Sequence, residues 1–169
     1  MKNLIAVFAA IVLVAGLTAT ANAQVTGTAT GSATIITPIA ITNAGNMNFG
    51  SIAVSATAGT VVLSPASVRS ITGGVTLPAV TGTVTAAAFT VTGLGSSTYS
   101  IQLPSSYTIS DGASHTMTVN AFTSTPSGTG TLSSGTQTIQ VGATLNVAAS
   151  QAAGSYTNAT GFPVIVNYN

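Results

Sequence analysis

SYTISDGASHTMTVN, residues 106–120, holds two alternating runs around an Asp-Gly pair. Tyr107 and Ile109 fall on one side of the first run. Met117 and Val119 fall on one side of the second, with Thr116, Thr118 and Asn120 opposite. A period of two lines apolar side chains along one face of a strand. Asp111-Gly112 favours a turn because both residues tolerate positive φ. The stretch therefore predicts an antiparallel hairpin with one face turned inward.

The same grammar recurs outward from this hairpin. After residue 23 no segment has convincing helical periodicity. Short alternating runs broken by Gly, Pro, Asn and Ser predict strands at 25–35, 39–42, 47–54, 59–63, 75–77, 82–91, 98–103, 107–109, 115–121, 137–141, 144–148, 155–157 and 162–168. Many short strands at this spacing predict an all-β fold, a β-sandwich. Phe89 with Val91, and Tyr99 with Ile101 and Leu103, form further inward sets. Residues 123–136 look most loop-like. Pro163 lies inside the last run and demotes its N-terminal end to an edge or bulge. No fixed-period repeat is visible, which weakens solenoid and propeller readings.

Residues 1–23 read as a secretory signal peptide: Lys2, an apolar core from Leu4 to Leu17, then Ala21-Asn22-Ala23 as a small-residue cleavage site. The apolar stretch is shorter than the roughly 20 residues of a membrane span. The expected organisation is a signal at 1–23, an N-terminal extension at 24–36 and a β-sandwich domain at 37–169. The protein is expected to be secreted through the periplasm to the cell surface or beyond.

From residue 24 onward Arg69 and Asp111 are the only charged side chains, joined by His115. Their formal charges cancel, which favours association between copies. Nucleic acid is excluded as a partner, since phosphate binding needs several Lys or Arg. Disorder is excluded too: the chain is 46% hydrophobic, and disordered chains are poor in apolar residues. There is no cysteine, so thiol chemistry and Cys-ligated metals are out. A single carboxylate side chain cannot supply paired acid–base catalysis or a calcium cage. Asp111, Ser114 and His115 contain the side-chain types of a hydrolase triad. They crowd into one hairpin turn with no G-x-S-x-G elbow, so the expectation is no enzyme, no cofactor, no metal and no small-molecule substrate. Arg69 and Asp111 either pair with one another or bond local backbone. Asn158-Ala159-Thr160 matches a glycosylation sequon, meaningful only in a suitable secretory host.

VTGTATGSATI, residues 25–35, has Val25, Gly27, Ala29, Gly31, Ala33 and Ile35 on one side and Thr or Ser on the other. An uncharged, proline-free strand left at an edge is an aggregation hazard. It needs a partner, either within its own sandwich as a first strand or outside it.

Ten blocks in one order carry a family resemblance: SATIITPIAIT, NMNFGSI, GTVVLSPASVRS, TGGVTLP, AAFTVTG, TYSIQLP, HTMTV, GTLSSGTQTIQVGATLNV, QAAGSYT and VIVNYN. They resemble the bacterial secreted family catalogued as domain of unknown function 4402. That family is similar in turn to spore-coat-U-like proteins and chaperone–usher pilins. The resemblance implies an immunoglobulin-like sandwich lacking its last strand, completed by a neighbour's N-terminal extension. It places the donor strand at Val25, Gly27, Ala29, Gly31, Ala33 and Ile35. It places the acceptor-groove strand at Phe162, Val164, Val166 and Tyr168, with Gly154 upstream. It implies self-association into a homopolymer, with a periplasmic chaperone and an outer-membrane usher as further partners. Two departures bear on that machinery: the disulfide of many pilins is absent, and the glycine is not at the usual distance from the end.

The donor side chains are small. Val25, Ala29, Ala33 and Ile35 hold nine side-chain carbons, worth roughly 7 kcal/mol if fully buried. Association costs about 4–15 kcal/mol, so backbone pairing and completion of an open core must add to it. The function expected is a structural, self-assembling subunit of an extracellular pilus-like filament. The alternative is a monomeric secreted binding module for glycans or surfaces, its aromatics serving as stacking platforms. An ice-binding face is a weaker third reading, because only residues 26–34 offer a Thr ladder.

Overall fold

Alternation becomes a paired strand wherever the inner positions carry large apolar side chains. The clearest case is β9, Thr136–Val147. Its inner residues Ile139, Val141, Ala143, Leu145 and Val147 are all buried, while Thr138 faces out. The computed structural model describes residues 24–169. Before β9 the chain forms β1 (Ala40–Gly45), β2 (Ala53–Leu63), β3 (Arg69–Thr76), β4 (Ala87–Thr92), β5 (Thr98–Gln102), β6 (Ser106–Ser110), β7 (Thr116–Thr125) and β8 (Thr129–Thr131). After it comes β10 (Ile165–Tyr168). The fold is all-β, and every ladder is antiparallel.

The larger sheet is organised on β9. Along one edge β9 pairs first with β4, from Thr92↔Thr136 to Ala87↔Val141, and then with β2, from Leu63↔Ala143 to Gly59↔Val147. Along the other edge it pairs with β7, which pairs with β6. The exchange of partners falls at Gly142, where any Cβ would collide with the Leu63 carbonyl and the Ser64–Pro65 backbone. The sheet thus divides into a β4–β1 wing and a β2–β3 wing. The smaller sheet has the order β10-β5-β8.

Two clusters fill the interior. One joins Phe89, Val91, Ile139 and Val141 of the larger sheet to Tyr99, Ile101 and Val166 of the smaller, with Leu132. The other gathers Phe49, Val61, Leu63, Val75, Val119 and Leu145. Leu63, Leu132, Ile139 and Leu145 are fully buried, each contributing roughly 1.5–3 kcal/mol relative to exposure. Tyr99 is buried as well, and its hydroxyl donates to Gln137 Oε1 at 2.6 Å. The same oxygen accepts the Thr131 N–H at 2.9 Å, so the polar tip is satisfied. The two facing sheets are compatible with an immunoglobulin-like sandwich.

The 106–120 hairpin forms as predicted, with Tyr107↔Val119 and Ile109↔Met117 in register and Gly112 at φ 80°. Several boundaries differ. Residues 137–141 and 144–148 are one strand rather than two, because β9 stays extended through Gly142 while it changes partner. Residues 47–54 form only the Asn48↔Thr85 bridge before β2 begins at Ala53. Within 123–136, read as loop, Thr129–Thr131 forms β8 against β5. Residues 25–35 join no ladder: Val25 and Ile35 are 92% and 98% exposed. The strand expected at 25–35 is thus not formed within the described residues. Its glycines and alanines offer little apolar area to offset the entropy of fixing a strand. The signal-peptide reading falls on residues 1–23, outside the described residues.

The C-terminal segment explains its own short strand. β10 pairs β5 with Ile165↔Gln102 and Val166↔Ile101. The bridge Ser110↔Thr157 lies on the same register diagonal. On that diagonal Pro104 falls opposite Pro163. Neither can donate to a ladder, so regular pairing resumes only at Ile165.

Candidate functional site

Among the described residues, β1 pairs only with β4, and β10 pairs only with β5. Each keeps one unpaired edge, and the two edges meet at one end of the sandwich. There the Tyr168 hydroxyl donates to the Thr37 carbonyl at 2.9 Å and accepts the Leu94 N–H at 2.6 Å. The end of β10 is thereby tied to the root of β1. Thr37 precedes β1 and Tyr168 ends β10, so the two strands run antiparallel as they leave this closed end.

Away from that end lies a groove of about 1210 Å³, which Asn43 of β1 reaches and β10 does not. One wall is the chain from Asn46 to Val54, and the other is the chain from Gln151 to Phe162. Its floor is apolar, lined by Phe89, Met117, Val119, Leu145 and Val147. Phe162 is the hub of an aromatic group, with ring centroids 5.0 Å from Phe122, 5.7 Å from Tyr107 and 6.1 Å from Phe89. Tyr107 donates its hydroxyl to the Asn158 carbonyl at 3.0 Å. Burial pushes its phenol above the usual range, so it stays a neutral donor at ordinary pH.

The residues expected to form the acceptor strand share one side of the chain. Val166 is buried, and Phe162, Val164 and Tyr168 pack half-buried against the same core cluster, while Ile165 is 50% exposed. The residues expected to form the donor strand, Val25, Gly27, Ala29, Gly31, Ala33 and Ile35, are all exposed and extended. The groove itself was not foreseen. Its walls come from 46–54 and 151–162, within which 47–54 and 155–157 are expected strands and the structure is largely irregular.

The triad-like residues are only partly brought together. Asp111 Oδ2 accepts from His115 Nδ1 at 2.6 Å, and Oδ1 accepts the Ala113 N–H at 2.8 Å and the His115 N–H at 3.2 Å. The imidazole, first, and these backbone N–H groups hold the Asp111 carboxyl below the usual carboxylate range. Ser114 makes no hydrogen bond to the imidazole among the described residues. The arrangement caps a turn. Among the described residues no three His, Cys, Asp or Glu side chains gather as metal ligands. Asn158 of the sequon has its side chain engaged: Nδ2 donates to the Thr108 carbonyl at 2.8 Å, and Oδ1 accepts the Thr160 N–H at 2.9 Å.

Residues 39–168 match the model of a family described as Domain of unknown function (DUF4402). Neither the curated proteins nor the solved structures contain a match.

Proposed function

We propose that this chain, which belongs to the DUF4402 family, is a structural subunit that polymerises head to tail, residues 25–35 of one copy filling the groove of the next. The observation that carries the reading is an open groove with an apolar floor between residues 46–54 and 151–162, in a fold whose strands β1 and β10 each keep an unpaired edge. A strand lying parallel to β1 and antiparallel to β10 would meet their free edges, and its continuation would cover the floor between 46–54 and 151–162. Eleven extended residues reach about 36 Å, and their uncharged, small side chains suit a groove that backbone must approach closely.

Strand order favours a neighbour's arm over the chain's own. The root of the arm is held at Thr37 by Tyr168. To fold back into its own groove the arm would have to turn at Thr37-Pro38 and run parallel to β10. Thr37-Pro38 lacks the glycine or asparagine that a tight hairpin turn requires. An arm arriving from another copy has no such constraint. The contact is heterologous and does not close on itself, so it builds filaments. A secreted, extracellular location and a role as a fibre or surface layer follow from this reading, as do a chaperone and an usher that would cover the groove before assembly.

Electron microscopy of material sheared from producing cells, with and without deletion of 24–34, tests the proposal. Filaments are expected from the full chain and monomers or chaperone-bound subunits from the deletion. Filaments that persist after the deletion would overturn it.

A further inference from the structure

From residue 24 onward the chain carries one arginine, Arg69. The one carboxylate side chain in that stretch, Asp111, is occupied by His115. Arg69 turns instead to backbone. Its Nη1 donates to the Phe49 carbonyl at 2.6 Å and to the Ser51 carbonyl at 2.9 Å. Both carbonyls belong to the wall of the groove, where Phe49, Gly50, Ser51 and Ile52 all line the opening.

Besides the buried Phe49 side chain and the Gly50 N–H bond to Asn48 Oδ1 at 2.8 Å, that stretch of wall has few ties. It runs between the Asn48↔Thr85 bridge and the start of β2. One backbone bond, from the Ser51 N–H to the Thr81 carbonyl at 2.7 Å, attaches it to the neighbouring loop. Gly50 has φ 71°, and a Cβ there would meet Thr81 O, Val84 and Arg69 Nη1, so the chain is bent tightly around the guanidinium. Two carbonyl oxygens aimed at one point repel unless a cation sits between them, and hydrogen bonds to a charged donor are the stronger kind. The far end of Arg69 is fixed, because its backbone is the first rung of β3, paired with Leu63.

We infer that Arg69 is a positioning residue that braces this wall and sets the width of the groove for the incoming strand. The inference rests on the reading of the groove as an acceptor site. No second carboxylate side chain competes for the guanidinium among the described residues.

The test uses monomeric full-length chain and a fluorescent peptide with the sequence of residues 25–35. Release of the peptide and thermal unfolding of the chain are measured side by side. Arg69→Met keeps the apolar stem and is expected to release the peptide about tenfold faster, with melting of the peptide-free chain little changed. Arg69→Lys, with one shorter cationic donor, is expected to fall between the two. Should the Met variant fail to fold, the Lys variant decides by the same pair of readouts: faster release at unchanged melting supports the brace. Unchanged release in whichever variant decides overturns it, as does a loss of melting temperature with no change in release. Absence of peptide binding to the unsubstituted chain would overturn the acceptor reading, and the brace with it. Binding with unchanged release overturns the brace alone.

Discussion

Residues 25–35 and β9 look alike on paper and end in opposite states. Both are uncharged, both alternate, and both carry Thr or Ser along one side. β9 is paired along both edges, with five inner residues buried. The N-terminal run is paired along neither, with Val25 and Ile35 almost fully exposed. The difference lies in the inner positions. Ile139, Val141, Leu145 and Val147 bring enough apolar area to offset backbone ordering within one chain. Gly27, Ala29, Gly31 and Ala33 do not. Alternation marks a segment as able to pair, and side-chain volume decides whether it can pay for pairing without help from another surface.

The comparison can be broken first at β9. Leu145→Ala opens a cavity at a fully buried site and is expected to cost about 2–5 kcal/mol in chemical denaturation, removing folding and assembly together. The matching change in the arm should separate the two. Ala29→Asp is expected to leave stability within about 0.5 kcal/mol, since the site is exposed, yet to abolish filaments. A carboxylate would have to be desolvated in an apolar groove with no partner. Filaments of normal yield on sedimentation would remove the distinction drawn above.

Two smaller effects sharpen it. Tyr168→Phe keeps the ring and deletes the hydroxyl shared by Leu94 and Thr37, at a cost of about 1 kcal/mol. It frees the root of the arm, so a larger self-filled monomer fraction is expected on gel filtration. Asp111→Asn should have the least effect. The folded carboxyl is depressed below its ordinary value. Its contribution is therefore complete above the usual carboxylate range and is lost only as pH falls through the lower folded value. Acid should loosen the turn at 111–115 in the unsubstituted chain, seen by amide exchange, and the Asn variant should lack that pH dependence.

Much of the sheet could be read from residues alone, because Asp111-Gly112 and the runs around it are local signals. The family resemblance also extends over most of the chain. What escaped is tertiary. β8 lies in a Thr, Ser and Gly stretch whose only reason to be a strand is the edge of β5. The continuity of β9 depends on Gly142 lying under the β2–β3 turn. The groove lies between residues 46–54 and 151–162, segments far apart in the chain whose juxtaposition has no short-range signature. Arg69 was read as bonded either to Asp111 or to local backbone. Its partners are carbonyls 18 and 20 residues away, beyond the reach of any pattern in the sequence.

The solitary arginine has a further consequence. It offers the one bond in residues 24–169 that a trypsin-like protease could recognise. Such an enzyme must draw an arginine side chain into its own pocket and hold the flanking backbone extended and free. Here the guanidinium is already engaged by two carbonyls, and the flanking backbone is locked in the β2–β3 ladder. A single residue thus braces the groove and withholds the one tryptic cleavage point of residues 24–169.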